Sequence, residues 1–145
     1  MGRILTLATP IAIDELIQRV KKNFELKHLR VCRAPIHDSK LGSGAKKIQK
    51  IAICAGSGSS VLVNAGVGSA GKEGAEEVPV DCYFTGEMSH HEVLLAKSKN
   101  ISVILTEHSN SERGYLKVLQ GYMQKELTDV DVVVSKTDKD PLQVE

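Results

Sequence analysis

A histidine and a glutamate four residues apart are the pair in this sequence best suited to chemistry. His108 and Glu112 lie between an apolar run, 101–105, and a segment whose apolar residues have helical spacing. The pair therefore falls where a strand ends and a helix begins, the edge of an open α/β sheet at which ligands bind. A neutral imidazole and a carboxylate together suit zinc, iron or manganese. On a helix, the four-residue spacing places both side chains on one face.

The same residues also fit a structural role. Ser109 and Glu112 have the spacing of a capping box, in which the glutamate accepts a hydrogen bond from the serine amide at the start of a helix. His108 would then merely precede the cap. Spacing alone leaves both interpretations open, because a histidine and a glutamate four residues apart are common.

A turn rich in glycine and serine, Gly56-Ser57-Gly58-Ser59-Ser60, is a second candidate site. It lies between a predicted strand and a predicted helix, where backbone amides can bind an anion. It is not a Walker A loop, since no Gly-Lys-Ser/Thr ends it, and Val61 replaces the third glycine of a dinucleotide fingerprint. The alternative is a tight turn whose glycines adopt positive φ.

Further polar side chains surround the turn at 85–91. Glu87 is a candidate general base, or a carboxylate that orients a metal-bound histidine, with simple exposure as the alternative. His90 and His91 open a predicted helix that begins with a second capping box, Ser89 to Glu92. Because adjacent helical residues point about 100° apart, we expect both histidines to be solvated or capping rather than to share a metal.

Strands and helices alternate through most of the chain, which predicts an α/β fold. Apolar runs predict strands at 29–33, 50–55, 80–84, 101–105 and 130–135. Helical spacing predicts helices at 10–24, 61–65, 89–100 and 110–127. Segments 34–47 and 66–79 are predicted loops, and 136–145 is a predicted tail. With no repeat or linker, residues 1–145 are expected to form a single domain, with a mixed or mostly parallel sheet and helices packed outside.

Composition argues against several classes of function. The 145 residues include 19 basic and 18 acidic side chains and no Trp, so charge and aromatic stacking predict neither direct nucleic-acid binding nor membrane binding. The three cysteines contain no Cys-x-x-Cys pair, which argues against a structural zinc site. Cys54 and Cys82 lie in apolar runs, as buried reduced thiols do. We therefore expect a cytoplasmic location, with the nucleus as a second one.

Three motifs together resemble the NGG-interacting-factor-three-like family, often described as type 2 GTP cyclohydrolase I, and in particular its animal members. They are CAGSGSS at 54–60, TGEMSHH at 85–91 and EHSNSERG at 107–114. Their order and spacing agree with the family. The resemblance covers most of the chain but corresponds only to the C-terminal half of family chains. It therefore implies one lobe of a two-lobed fold.

The resemblance also implies two divalent ions held between the halves of a longer chain. In the family, the C-terminal half supplies one histidine and one glutamate, which correspond to His108 and Glu112. A histidine pair and an aspartate come from the N-terminal half, and nothing before residue 50 matches them, because His28 and His37 are isolated. Since catalytic zinc takes about three protein ligands, we expect a partial dinuclear site in this chain.

Two functions follow from the resemblance. The first is protein binding like that of a transcriptional co-regulator, with transcription-regulatory proteins as partners, and the incomplete ligand set favours it. The second is metal-dependent, GTP cyclohydrolase-like hydrolysis, completed by an absent N-terminal half or by another chain. In that reaction Glu87 would carry a proton and the loop 56–59 would bind the anion. A poorly folded remnant is a third possibility, and family self-association predicts a homo-oligomer, a dimer or larger.

Overall fold

The computed structural model describes residues 2–42, 44–66 and 79–142. In chain order the elements are β1 (Arg3–Ile11), α1 (Ile13–Phe24), β2 (Arg30–Cys32), β3 (Ile48–Ser57), α2 (Ser59–Gly66), β4 (Cys82–Glu87), α3 (His90–Ser98), β5 (Ser102–Leu105), α4 (His108–Arg113) and α5 (Leu116–Glu126). Two short 3-10 turns, Pro35–His37 and Ser39–Leu41, lie in the predicted loop 34–47. The predicted loop 66–79 falls almost entirely outside the described residues.

Five strands form one mixed sheet in the order β1-β3-β4-β5-β2. The central strands β3, β4 and β5 are parallel, and the two edge strands pair antiparallel to their neighbours. The predicted α/β class with a mixed sheet is therefore confirmed. Because β3, β4 and β5 run in the same direction, their carboxyl ends meet at one edge of the sheet.

Helices cover both faces of the sheet. Alternate residues of a strand point to opposite faces, so Cys82 and Ile104 lie on one face while Tyr83 and Val103 lie on the other. The first face packs against α1 through Leu16, Ile17 and Val20. The second packs against α2 and α3 through Leu62 and Ala96. Burial on both faces explains the near-continuous apolar runs of the central strands.

The first strand was not expected, and the predicted helix at 10–24 begins three residues later, at Ile13. Residues 3–6 form a strand because they pair with β3, from Arg3 opposite Ile53 to Thr6 opposite Lys50. Pro10 lies beyond this regular register, near the irregularity that precedes Ile11. A proline is tolerated there because the strand is at the edge of the sheet.

Near the C-terminus one prediction holds only in part and another is wrong. The helix expected at 110–127 is divided into α4 and α5 by Gly114 and Tyr115, and it begins at His108. The strand expected at 130–135 is not formed, since those residues join no sheet. In the part of the chain that the structure describes, no helix has the length and apolar character needed to cross a membrane.

Candidate metal centre

The candidate site lies where the three parallel strands reach their carboxyl ends. Glu87 is the last residue of β4, and α4 begins at His108, three residues after β5 ends. Glu107 is the N-cap of α4, makes no side-chain capping hydrogen bond and has a φ of 67°. The alternative interpretation, a capping box at Ser109, is therefore wrong, because Ser109 already lies inside the helix. His108 and Glu112 consequently share one helical face.

The two nitrogens of the His108 ring face two different carboxylates. Nδ1 lies 3.0 Å from Oε2 of Glu87, and Nε2 lies 3.6 Å from Oε2 of Glu112. All three side chains are close to half exposed. The hydrogen bond with Glu87 raises the pKa of His108 above its ordinary value, against a smaller opposing effect of desolvation, and the charge of Glu112 adds to the increase.

This arrangement suits a cation beside Nε2. When Nδ1–H donates to Glu87, Nε2 either carries a proton or directs its lone pair at the Glu112 carboxylate. A divalent ion between the imidazole and the carboxylate removes that repulsion, and histidine ligands commonly donate their second nitrogen to a carboxylate in this way. In the ranges described, no group of three or more His, Cys, Asp or Glu side chains could hold a metal ion. Within the described residues, His108 and Glu112 are therefore two candidate ligands, which is fewer than a complete site needs.

Gly56 closes one side of the pair, and its lack of a side chain is essential there. It has a φ of 65°, and a Cβ at this position would lie 2.8 Å from Oε1 of Glu112 and 3.2 Å from Nε2 of His108. Only glycine adopts this φ without strain and leaves the two functional groups their space. The alternative interpretation of the turn, with glycines at positive φ, therefore holds for Gly56 but not for Gly58.

Two hydroxyl groups that were not predicted join the strand ends to α4. Ser111 Oγ donates to the carbonyl of His108 at 2.6 Å and accepts from the amide of Gly56 at 2.7 Å. Thr85 Oγ1 donates to the carbonyl of Gly56 and accepts from the amide of Gly58, both at 3.0 Å. Thr85 and Ser111 lie in the family-like motifs at 85–91 and 107–114, so the motif resemblance could have indicated them. They fix the backbone around His108.

The same hydrogen bonds bear on the predicted anion loop at 56–59. The amides of Gly56 and Gly58 are used within the protein and do not face a ligand. The loop remains a prediction, and an anion there would have to be bound by other groups, such as the exposed Ser57.

The histidine pair at the start of α3 is solvated, as expected. His90 and His91 are both exposed, and their ring centroids lie 6.0 Å apart in an edge-to-face arrangement. The capping box is confirmed, because the Ser89 amide donates to Glu92 Oε2 at 2.9 Å and the Glu92 amide donates to Ser89 Oγ at 3.4 Å.

The C-terminal segment is packed beside the site through Arg113, a contact that the sequence did not predict. The guanidinium donates two hydrogen bonds to Asp138, at 2.7 and 3.2 Å, and lies 3.6 Å from a carboxylate oxygen of Asp140. Asp140 is also close enough to help raise the pKa of His108. Residues 138–140 of the predicted tail therefore rest against the helix that carries His108 and Glu112.

Comparison with known proteins agrees with the motif resemblance. The sequence model of the Duf34/NIF3 (NGG1p interacting factor 3) family matches residues 1–141. The chain belongs to this family. It is 41% identical over 148 residues to the NIF3-like protein 1 of Rattus norvegicus and 43% identical over 146 residues to the Protein NIF3 homolog of Schizosaccharomyces pombe. It spans 34% and 45% of the length of these two relatives, although they match 99% and 97% of its own residues.

Solved structures share the fold. The Bacillus cereus protein related to NIF3 superposes on all of this chain with a TM-score of 0.68 at 21% identity, over 36% of its own length. The Staphylococcus aureus protein SA1388 gives a TM-score of 0.67 at 22% identity, over 42% of its own length. These two structures and the two relatives named above are therefore each more than twice as long as these 145 residues.

Proposed function

We propose that this chain contributes His108 and Glu112 to a divalent-metal site whose other ligands lie outside these 145 residues, and that the completed site serves metal-assisted hydrolysis. The observation that carries the proposal is the 3.6 Å approach of His108 Nε2 to Glu112 Oε2 while Glu87 engages Nδ1. The ions proposed are zinc, iron or manganese, in a partial dinuclear site.

Each residue has a distinct part in this proposal. His108 and Glu112 hold the ion, which when bound lowers the pKa of a water molecule and polarises a substrate bond. Glu87 orients the imidazole, and its hydrogen bond to Nδ1 favours this role over that of a proton carrier. Gly56 keeps the space beside both ligands open. Because none of these groups selects a purine, a GTP-like substrate is proposed only through the family resemblance.

Metal retention tests the proposal directly. The probe is the part of rat NIF3-like protein 1 that this chain does not match, produced as a separate polypeptide and called here the rat complement. After dialysis, we expect the mixture of chain and rat complement to retain zinc, at roughly one ion or more per chain. His108→Ala and Glu112→Gln should remove most of it, whereas His91→Ala, which changes an exposed histidine, should not. Equal zinc in His108→Ala and wild type would end the metal proposal.

Protein binding is the second candidate, favoured by the exposed apolar residues of the last helix region. Tyr115 and Tyr122 are each 58% exposed and Val118 is 47% exposed. A matched relative from Saccharomyces cerevisiae has the printed name NGG1-interacting factor 3. We propose a transcription-regulatory partner for this surface, with purified yeast NGG1p as the probe. Its binding should survive His108→Ala and weaken with Tyr122→Asp, and the reverse pattern would reject this surface.

Assembly and location belong to the same set of proposals. We propose a homo-oligomer, to be measured by analytical ultracentrifugation, where a monomer at all concentrations would contradict it. A cytoplasmic or nuclear location is proposed because Cys32, Cys54 and Cys82 are all free thiols. Fluorescent tagging in cells would test it.

A further inference from the structure

Residues 130–135 have the side-chain pattern of a β-strand although they join no sheet. Val132 and Val134 are half-buried, whereas Asp131, Val133 and Ser135 are exposed. The half-buried pair lies beside Leu116, Leu119 and Met123 of α5, along a groove that Val133 also lines in part. Val133, at 80% exposure, is the most exposed large apolar residue described. This alternation with a period of two is that of a strand with one covered face.

The backbone of this segment is satisfied along one side only. Gln124 accepts a hydrogen bond from the amide of Val132 and donates one to the carbonyl of Val130. Gln120 donates to the carbonyl of Val132 at 2.7 Å. Within the described residues, no hydrogen bond involves the backbone of Asp131 or Val133. In a strand, alternate residues direct their backbone groups to opposite edges, so the second edge of this segment is unpaired.

The segment is also held in place close to the candidate metal centre. Asp138, three residues after Ser135, receives both hydrogen bonds from Arg113, and Arg113 directly follows the proposed ligand Glu112. Residues 130–135 therefore lie shortly before Asp138, which Arg113 holds beside the candidate metal centre. Any polypeptide that brings the remaining metal ligands to His108 must approach this region.

We propose that residues 130–135 add as a strand to the edge of a β-sheet in the part of a Duf34/NIF3 chain that lies outside these 145 residues. This partner follows from the lengths of the relatives, since this chain spans only 34% and 45% of two of them. Pairing would satisfy the backbone of Asp131 and Val133 and cover the exposed valine, as in other cases of strand addition. The inference rests on the proposed function, because it names how the polypeptide with the missing ligands docks.

Amide hydrogen exchange tests the docking, and it is measured in EDTA so that metal binding has no part in the result. We expect the rat complement to slow exchange at the amides of Asp131 and Val133. Val133→Pro removes the second amide and blocks strand pairing, and should weaken binding of the complement at least about tenfold. Val133→Thr, which keeps the amide and the β-branched shape, is the matched control and should bind nearly as wild type. Circular dichroism of both variants verifies that they are folded.

The outcomes separate this inference from the metal proposal. Binding of the complement with no protection at Asp131 and Val133, and with full affinity for Val133→Pro, overturns the strand and leaves the metal site standing. Strand protection together with zinc retention in His108→Ala rejects the metal site and leaves the strand standing. If the chain alone self-associates and this protects the same amides, the unpaired edge pairs with a second copy of this chain, and the partner proposed here is wrong. Absence of any binding overturns it as well.

Discussion

The substitution Gly56→Ala should weaken metal binding at the candidate site far more than it lowers the stability of the fold. An alanine at a φ of 65° costs about 1–2 kcal/mol relative to glycine. Its Cβ would lie 2.8 Å from Oε1 of Glu112, so the carboxylate must move. Glu112 is 54% exposed, so its side chain can swing into solvent at little further cost. We therefore expect a stability loss of about 1–2 kcal/mol from the backbone alone.

The effect on metal retention should be much larger than the loss of stability implies. Displacing Glu112 would take away one of the two proposed ligands, and even changes to groups that only orient a ligand cost about 10–100-fold in metal affinity. We expect Gly56→Ala to weaken zinc binding, in the presence of the rat complement, by at least that factor. Equilibrium dialysis measures the affinity, and urea unfolding followed by circular dichroism measures the stability.

Gly44→Ala is the matched control. Gly44 also has a positive φ, of 108°, but a Cβ there would meet no atom within 4 Å. It therefore introduces backbone strain without crowding the ligands, and zinc affinity should stay at the wild-type level. The reasoning is refuted if Gly56→Ala binds zinc as tightly as Gly44→Ala, because the close approach of Gly56 to the ligands would then have no consequence.

Three further predictions concern charge and burial. Asp81→Ala should reduce the free energy of unfolding by about 1.5–3 kcal/mol, since its carboxylate accepts two β3 amides at 2.9 Å each and pairs with a lysine; unchanged urea unfolding would contradict this. Because burial lowers the pKa of His37, the unfolded state takes up a proton at a higher pH than the folded state does. The free energy of unfolding should therefore decline as the pH falls below about 6.5. His37→Asn should flatten this decline, measured as urea midpoints between about pH 7 and about pH 5. Glu87→Gln should lower the pKa of His108 towards its ordinary value, and an NMR titration with no change would exclude the hydrogen bond.

The apolar patterns predicted the centre of the fold well, because burial there is uniform. The run at 50–55 lies in β3 and most of the run at 101–105 forms β5, and both strands are covered on both faces. The capping box at Ser89 was predictable because all of its hydrogen bonds are local. The four-residue spacing of His108 and Glu112 left a shared helical face and a capping box both open, and α4, which begins at His108, has the shared face.

The patterns failed where a partner distant in sequence decides the conformation. The strand at Arg3–Ile11 depends on pairing with β3, whose paired residues lie 37 to 50 positions further along the chain, and its own residues are largely exposed. The segment 130–135 shows the opposite failure: its sequence has the period of a strand, but it pairs with no strand of the described sheet. A strand needs a neighbour, and no local pattern specifies whether one is present.

The sequence by itself determined which side chains could serve a metal, because four-residue spacing on a helix is a local property. It also determined the α/β class, through the alternation of apolar runs with helical spacing. Only the tertiary structure decided that Glu87 engages His108 and that Gly56 lies against both His108 and Glu112. Those contacts arise because parallel strands far apart in the chain end at one edge of the sheet, and their register sets distances that spacing along the chain does not contain.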